Sequence, residues 1–355
     1  MNNVNLKNVT LFGYLTDIQI ADGVITSVGK NNADGADFSG MKVYPALFDI
    51  HAHGVIGHDT MDADAVREMS DDMFTHGTVA WCPTTMTMDF DSIKNATDEI
   101  PEGCMADVIG YHLEGPYLNA RYKGAMNEKF LRKADIEEFS KFKNVAMITV
   151  APEIEGNIEF IKKCPAKVCI GHTACGYDTA VEAIENGAVC LTHTFNAMSP
   201  IHHRDPGPIG AAMDKKIYAQ VISDGIHLHP SAVRMLYSLF GSDRMILISD
   251  AMKATGLPDG QYEFGGQLMT VANKIARTEN GNLAGSTSYL YDCVLKAIEF
   301  GIPERDAFKM ASETPFNMFG IKRGRVEVGY PADLIVAGDD MTIKYMVKNG
   351  EIIEI

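Results

Sequence analysis

The sequence predicts an α/β fold: a (β/α)8 TIM-like barrel with a small β-sandwich domain formed from both chain termini. Two patterns predict it. From about Lys42 onward, short and nearly continuous apolar runs alternate with amphipathic stretches. That is how parallel strands buried on both faces alternate with covering helices. Both ends of the chain instead carry alternating apolar residues broken by turn signals. The expected division is 1–42 for the N-terminal part of the sandwich, 43–324 for the barrel with a β insertion near 255–285, and 325–355 for the C-terminal part.

The elements follow in order. The first region reads "VTLFGYLTDIQIADGVITSVG", with a hairpin signal at Asp22-Gly23. Eight candidate barrel strands come next: "KVYPALFDI", "TVAWCPTT", "DVIGYHLEG", "VAMITVAPE", "KVCIGHTA", "AVCLTHTF", "IYAQVISDG" and "MILISDAM". Between them lie helical stretches such as "ADAVREMSDDMFTHG" and "YDTAVEAIENGA", each running into a glycine, a frequent helix stop. "GPIGAAMDKK", before the seventh strand, predicts an abbreviated or irregular helix. "GQYEFGGQLMTVANKIARTENGNLAG" predicts the β insertion, and "GRVEVGYPADLIVAGDDMTIKYMVKNGEIIEI" the closing strands of the terminal domain.

Composition narrows the function. The 355 residues are 46% hydrophobic and 22% charged, ordinary for a soluble globular chain. A formal net charge of -16 disfavours nucleic acid or an anionic membrane as partner, since no overall positive field attracts phosphate. The start, "MNNVNLKNVTLFG", lacks a basic region followed by an apolar one, and no run of about twenty apolar residues predicts a membrane span. A cytoplasmic protein is expected. The seven cysteines are odd in number and form no CxxC, so they read as reduced core residues. Cys175, close to His172 in sequence, is a weak candidate for a reactive thiol.

The chemistry gathers at strand ends. His51 and His53 in "FDIHAHG" are two residues apart and point to the same side of an extended chain. Alone, they are either surface histidines or metal ligands. Glu114 ends the third candidate strand, His172 the fifth, His193 the sixth and Asp250 the eighth. Singly, each has a plain structural explanation: a satisfied core histidine, a salt-bridged carboxylate, a helix cap. Together they occupy the C-terminal ends of the strands, where barrel active sites lie. Glu114, His172 and His193 suffice to hold a divalent cation and leave room for water. Such a donor set suits zinc, iron, manganese or cobalt. Asp250 then fits as the carboxylate that takes the water proton and returns it to a leaving amine.

"FDIHAHG", "HLEGPYLN", "GHT", "THTFNAM", "SDGIHL", "ISDAM" and "LAGST" together resemble the N-acetylglucosamine-6-phosphate deacetylase family of the amidohydrolase superfamily. The resemblance covers nearly the whole chain. It implies hydrolysis of the N-acetyl group of N-acetylglucosamine 6-phosphate, giving acetate and glucosamine 6-phosphate. It also implies one or two divalent cations per subunit. By motif, Glu114, His172 and His193 match the principal metal ligands and Asp250 the catalytic acid/base. Ala125, Asn196, Ala197 and the segment Leu283, Ala284 and Gly285 match substrate contacts. His227 matches a histidine at the substrate phosphate. Arg204 matches an arginine reaching the phosphate in the neighbouring subunit of a homodimer. His202 and His203 receive no role. Where some members carry a carbonyl-polarising histidine, this chain has Met126, whose thioether is only a weak acceptor. It keeps His51 and His53, which by the same resemblance hold a second cation with Glu114 bridging.

Two other readings compete. A different amidohydrolase is one: a cyclic amide hydrolase or a deaminase would usually carry a lysine or another ligand set where Glu114 lies, while action on a related N-acetylated amino-sugar phosphate stays open as an alternative substrate. A non-catalytic sugar-phosphate sensor would have no need of Asp250.

Overall fold

The structure, a computed structural model, describes residues 3–355. Its larger part is a barrel of parallel strands: Leu47–Ala52, Thr78–Thr85, Tyr111–Glu114, Val145–Val150, Lys167–Ile170, Ala188–Leu191, Tyr218–Ile222 and Met245–Ile248. Each pairs with the next in parallel register, and the Asp250 N–H to His51 carbonyl bond (2.9 Å) draws the eighth towards the first. The strand "TVAWCPTT" is buried at every position, as apolar runs without alternation require when helices cover one face and side chains fill the other. Helix Val66–Thr75 buries Val66, Met69 and Met73, spaced by three or four residues, with Phe74 beside them, and a left-handed Gly77 leads the chain out of it. The segment "GPIGAAMDKK" does not give an abbreviated helix. Gly207–Lys215 is a regular helix of nine residues, as long as the one before it.

Both termini build one eight-stranded sheet beside the barrel. Its antiparallel core joins Asn3–Leu11, Tyr14–Ala21 and Val24–Val28 from the start of the chain to Leu334–Ala337, Ile343–Lys348 and Glu351–Glu354 from its end. Lys42–Pro45 sits between the two groups, so the run read as one barrel strand, "KVYPALFDI", divides at Ala46 between the two sheets. The terminal sheet curls over its own small core of Leu6, Val9, Ile18, Ile20, Val43, Leu334 and Val347. Tyr44 stacks on Phe308 of the barrel (3.9 Å between centroids), and Arg323 bridges Asp107 and Asp333. A separate three-stranded antiparallel sheet, Gly260–Phe264, Gln267–Ala272 and Ile275–Thr278, follows the eighth barrel strand and packs over the barrel mouth through Phe264 and Met269. None of the seven cysteines is bonded to another, and burial pushes the Cys175 thiol up to about 12, so it is not the reactive thiol its position suggested.

Candidate active site and metal centre

The barrel delivers its polar residues to one end by a repeated device. His172, His193 and Asp250 each lie two residues beyond the fifth, sixth and eighth strands, and each has a positive φ: 47°, 24° and 50°. Non-glycine residues seldom adopt this conformation, and its strain is kept where it aims a side chain. Here it turns three side chains inward just as the strands stop. Glu114 closes the third strand, and His51 and His53 come from the end of the first.

All six side chains are buried, and they converge. Glu114 Oε1 lies 3.0 Å from His172 Nε2 and 2.8 Å from His193 Nε2, while Glu114 Oε2 lies 3.0 Å from His53 Nε2. Asp250 Oδ1 is 3.3 Å from His53 Nε2 and 3.4 Å from His51 Nε2. Two donor trios result, His51–His53–Glu114 and Glu114–His172–His193, each with its ligand atoms within 4.8 Å of one another. They share Glu114: its Oε1 faces His172, His193 and, at 3.5 Å, His51, while its Oε2 faces His53.

The imidazoles are poised to bind a cation. His53 Nδ1 is 3.1 Å from the Thr84 carbonyl, and His172 Nδ1 is 2.8 Å from the Tyr122 carbonyl. A carbonyl only accepts, so each Nδ1 carries a proton and each Nε2 is the nitrogen turned to the centre, free to offer its lone pair once a cation takes the place of its own proton. Within the pairs the Nε2 atoms approach to 3.3 Å (His51 and His53) and 3.1 Å (His172 and His193), facing one another and Glu114. Burial alone would strip charge from His53, yet Asp250 and Glu114 outweigh it and hold the ring up at about 10. His51 is raised against burial by the same two acids. Burial also opposes ionisation of Glu114 and Asp250, but the imidazoles keep both below the usual carboxylate range. Positive charge is thus favoured between the rings and the acids. The residues present fit a divalent cation.

The centre opens into a cavity of about 360 Å³. Of the residues expected at the substrate, Ala125, Asn196, Ala197, His227, Leu283 and Gly285 line it. Ala284 is fully buried in a satellite core with Met126 and Phe264. Gly285 has φ 65°, and a Cβ there would stand 2.9 Å from the Asp250 carbonyl oxygen, so glycine lets this segment press against the acid. His227 Nδ1 is bound to Asp224 at 2.8 Å. Arg204 lies outside the cavity, on an exposed turn with its Nη1 2.7 Å from His203 Nε2. Met126 lines the cavity, and its sulfur accepts the Thr87 N–H at 3.4 Å.

Sequence reasoning missed several lining residues. Arg121, Tyr122 and Gly124 stand between "HLEGPYLN" and Ala125. Asn282 precedes "LAG", and the insertion supplies Phe264, edge-on to His53 at 5.3 Å. Adjacency to a recognised motif was the available signal for the first four; nothing in the sequence marked Phe264.

Residues 43–353 match the amidohydrolase family. The chain belongs to that family. Among its relatives is the N-acetylglucosamine-6-phosphate deacetylase of Bacillus subtilis, 35% identical over 87% of this chain and 83% of that one. The N-acetylgalactosamine-6-phosphate deacetylase of Escherichia coli O157:H7 is 32% identical over 96% of both. In structure, this amidohydrolase superposes on the Mycobacterium smegmatis N-acetyl-D-glucosamine-6-phosphate deacetylase, in complex with N-acetyl-D-glucosamine-6-phosphate, with TM-score 0.92, 27% identity and full coverage of both chains. The Thermotoga maritima N-acetylglucosamine-6-phosphate deacetylase gives TM-score 0.90 and 29% identity over 98% of this chain and 99% of that one.

Proposed function

We propose that this amidohydrolase removes the acetyl group of N-acetyl-D-glucosamine 6-phosphate, giving D-glucosamine 6-phosphate and acetate. One observation carries the proposal: Asp250 stands beside two buried donor trios that share Glu114, at the inner end of a cavity the size of a small ligand. The named relatives supply the substrate class.

Glu114, His172 and His193 would hold one divalent cation, and His51 and His53 with Glu114 a second; zinc, iron, manganese or cobalt suits the set. When bound, such a cation makes hydroxide available from water near neutral pH and polarises a carbonyl oxygen. Asp250, kept ionised by the imidazoles around it, takes the proton of the attacking water. It then gives that proton to the amine nitrogen as the amide C–N bond breaks, so the sugar leaves as a neutral amine and the second water proton stays on acetic acid, which ionises to acetate on release. Ala125, Asn196, Ala197, Leu283 and Gly285 border the sugar, and Ala284 backs that segment from the core. His227, held by Asp224, faces the phosphate. Arg204, exposed and outside its own cavity, reaches the phosphate in the partner of a homodimer. Unpaired cysteines suit a reducing cytoplasm. Among the described residues no helix is long and apolar enough to cross a membrane.

The galactosamine relative, nearly as similar as the glucosamine one, favours a second substrate, the C4 epimer. Acetate release from both 6-phosphates and from unphosphorylated N-acetylglucosamine, with metal-loaded protein, tests the proposal. Turnover of the first above the other two supports it; preference for the epimer would transfer the assignment.

A further inference from the structure

The seventh barrel strand, Tyr218–Ile222, contributes no ligand to either trio, yet it places Gln220, fully buried, behind both. Gln220 Oε1 lies 3.0 Å from His51 Nδ1 and 3.3 Å from the backbone nitrogen of His193. The second contact decides the first. The His193 N–H can only donate, so the amide atom facing it must be the oxygen. The same oxygen faces His51 Nδ1, which must therefore carry the proton. His51 Nε2 is left as the nitrogen that faces Glu114 and Asp250 and can bind a cation there. The other end of the amide confirms that packing does not dictate this arrangement. Gln220 Nε2 is buried with no hydrogen-bond partner. A buried orphan donor costs stability, and an apolar residue would fill this strand position without one.

We propose that Gln220 is a positioning residue for the metal centre, acting through the Nδ1 proton of His51. His53 and His172 have backbone carbonyls for the same task, which no substitution removes. His51 is the ligand whose tautomer depends on a side chain, and the residue that sets it also ties down the backbone of a ligand in the other trio. This rests on the trios being metal sites, not on the identity of the substrate.

Zinc affinity measured by chelator competition tests the inference without turnover. Gln220→Met keeps the length and apolar stem of the side chain and removes the acceptor. It should weaken zinc binding about 10- to 100-fold, the usual effect of losing a partner of a metal-bound histidine. Gln220→Glu, which restores an acceptor to Nδ1, should recover affinity to within a few-fold, a rescue that a purely structural role would not give. In a His51→Ala background, Gln220→Met should add much less than it does alone, because its route through the His51 ring is already cut and only its bond to the His193 N–H remains. Gln220→Leu serves as the second deletion if the methionine variant does not fold. Wild-type affinity in the folded deletion variant, failure of the glutamate to rescue, or full additivity with His51→Ala would each overturn the proposal. Failure of the wild type to bind zinc, iron, manganese or cobalt would instead overturn the reading of the trios themselves.

Discussion

Asp17 in the terminal sheet and Glu114 at the barrel mouth are both buried carboxylates, and they are satisfied in opposite ways. Asp17 meets donors that belong to the fold: the N–H groups of Asn8 (2.9 Å) and Asn31 (3.0 Å) and the Lys30 ammonium (3.1 Å). The two backbone N–H groups, then Lys30, hold its carboxyl down at about 2. Its charge is complete within the chain. Glu114 meets imidazole nitrogens, and for His53 and His172 the ring proton is committed to a carbonyl on the far side. The imidazole Nε2 atoms facing it hold positive charge that is exchangeable, a proton or a cation from outside. A buried acid whose donors are fixed parts of the fold is structure; one faced by imidazole nitrogens that can exchange a proton for a cation is a site.

The difference should be sharpest in Asp250→Asn. Asparagine keeps the shape but cannot take a proton, so kcat should fall about three to four orders of magnitude while bound metal is retained. A variant with normal metal and near-normal kcat would remove Asp250 from its role. Glu114→Ala comes next. As the shared member of both trios, it should lose metal on dialysis more completely than His51→Ala, which disturbs only one. Equal loss, by elemental analysis, would mean the two trios form as a single unit.

Arg204→Ala should raise KM for the 6-phosphate far more than it lowers kcat, since the phosphate lies away from the scissile amide. Losing a charge-assisted contact of about 2 kcal/mol corresponds to roughly thirtyfold in kcat/KM. Mixing Arg204→Ala with Asp250→Asn subunits should restore activity, up to about a quarter of wild type for random exchange at one working site in half the dimers. No recovery after verified exchange would confine Arg204 to its own subunit. The smallest effect is expected in the other region. Asp17→Asn should cost about 1–2 kcal/mol in urea unfolding and leave kcat and metal content unchanged. Because the folded carboxyl is held below its ordinary 3.8, the contribution of Asp17 is complete above about pH 4 and fades as pH falls towards 2. The stability gap between wild type and Asp17→Asn should therefore narrow over that interval.

The barrel was legible because its strands are buried on both faces and read as unbroken apolar runs. Glu114, His172, His193 and Asp250 were legible because each ligand-type residue sits at the end of such a run. What periodicity could not show was a strand shared between two sheets: Lys42–Pro45 and Leu47–Ala52 read as one mostly apolar run, and their partners tell them apart. Gln220 was invisible for a related reason. A single glutamine in an apolar strand carries no spacing signal, and its meaning comes from His51 and His193, far away in sequence. Phe264 reaches the site from an insertion whose alternating pattern records only that it is a sheet.

Acetate release from N-acetyl-D-glucosamine 6-phosphate, followed before and after chelation, is the measurement to make. The metal-loaded protein should turn the substrate over, lose that activity with its metal, and regain it when zinc, manganese or cobalt is returned. Folded, metal-loaded protein that releases no acetate from this sugar phosphate or its C4 epimer would contradict the assignment.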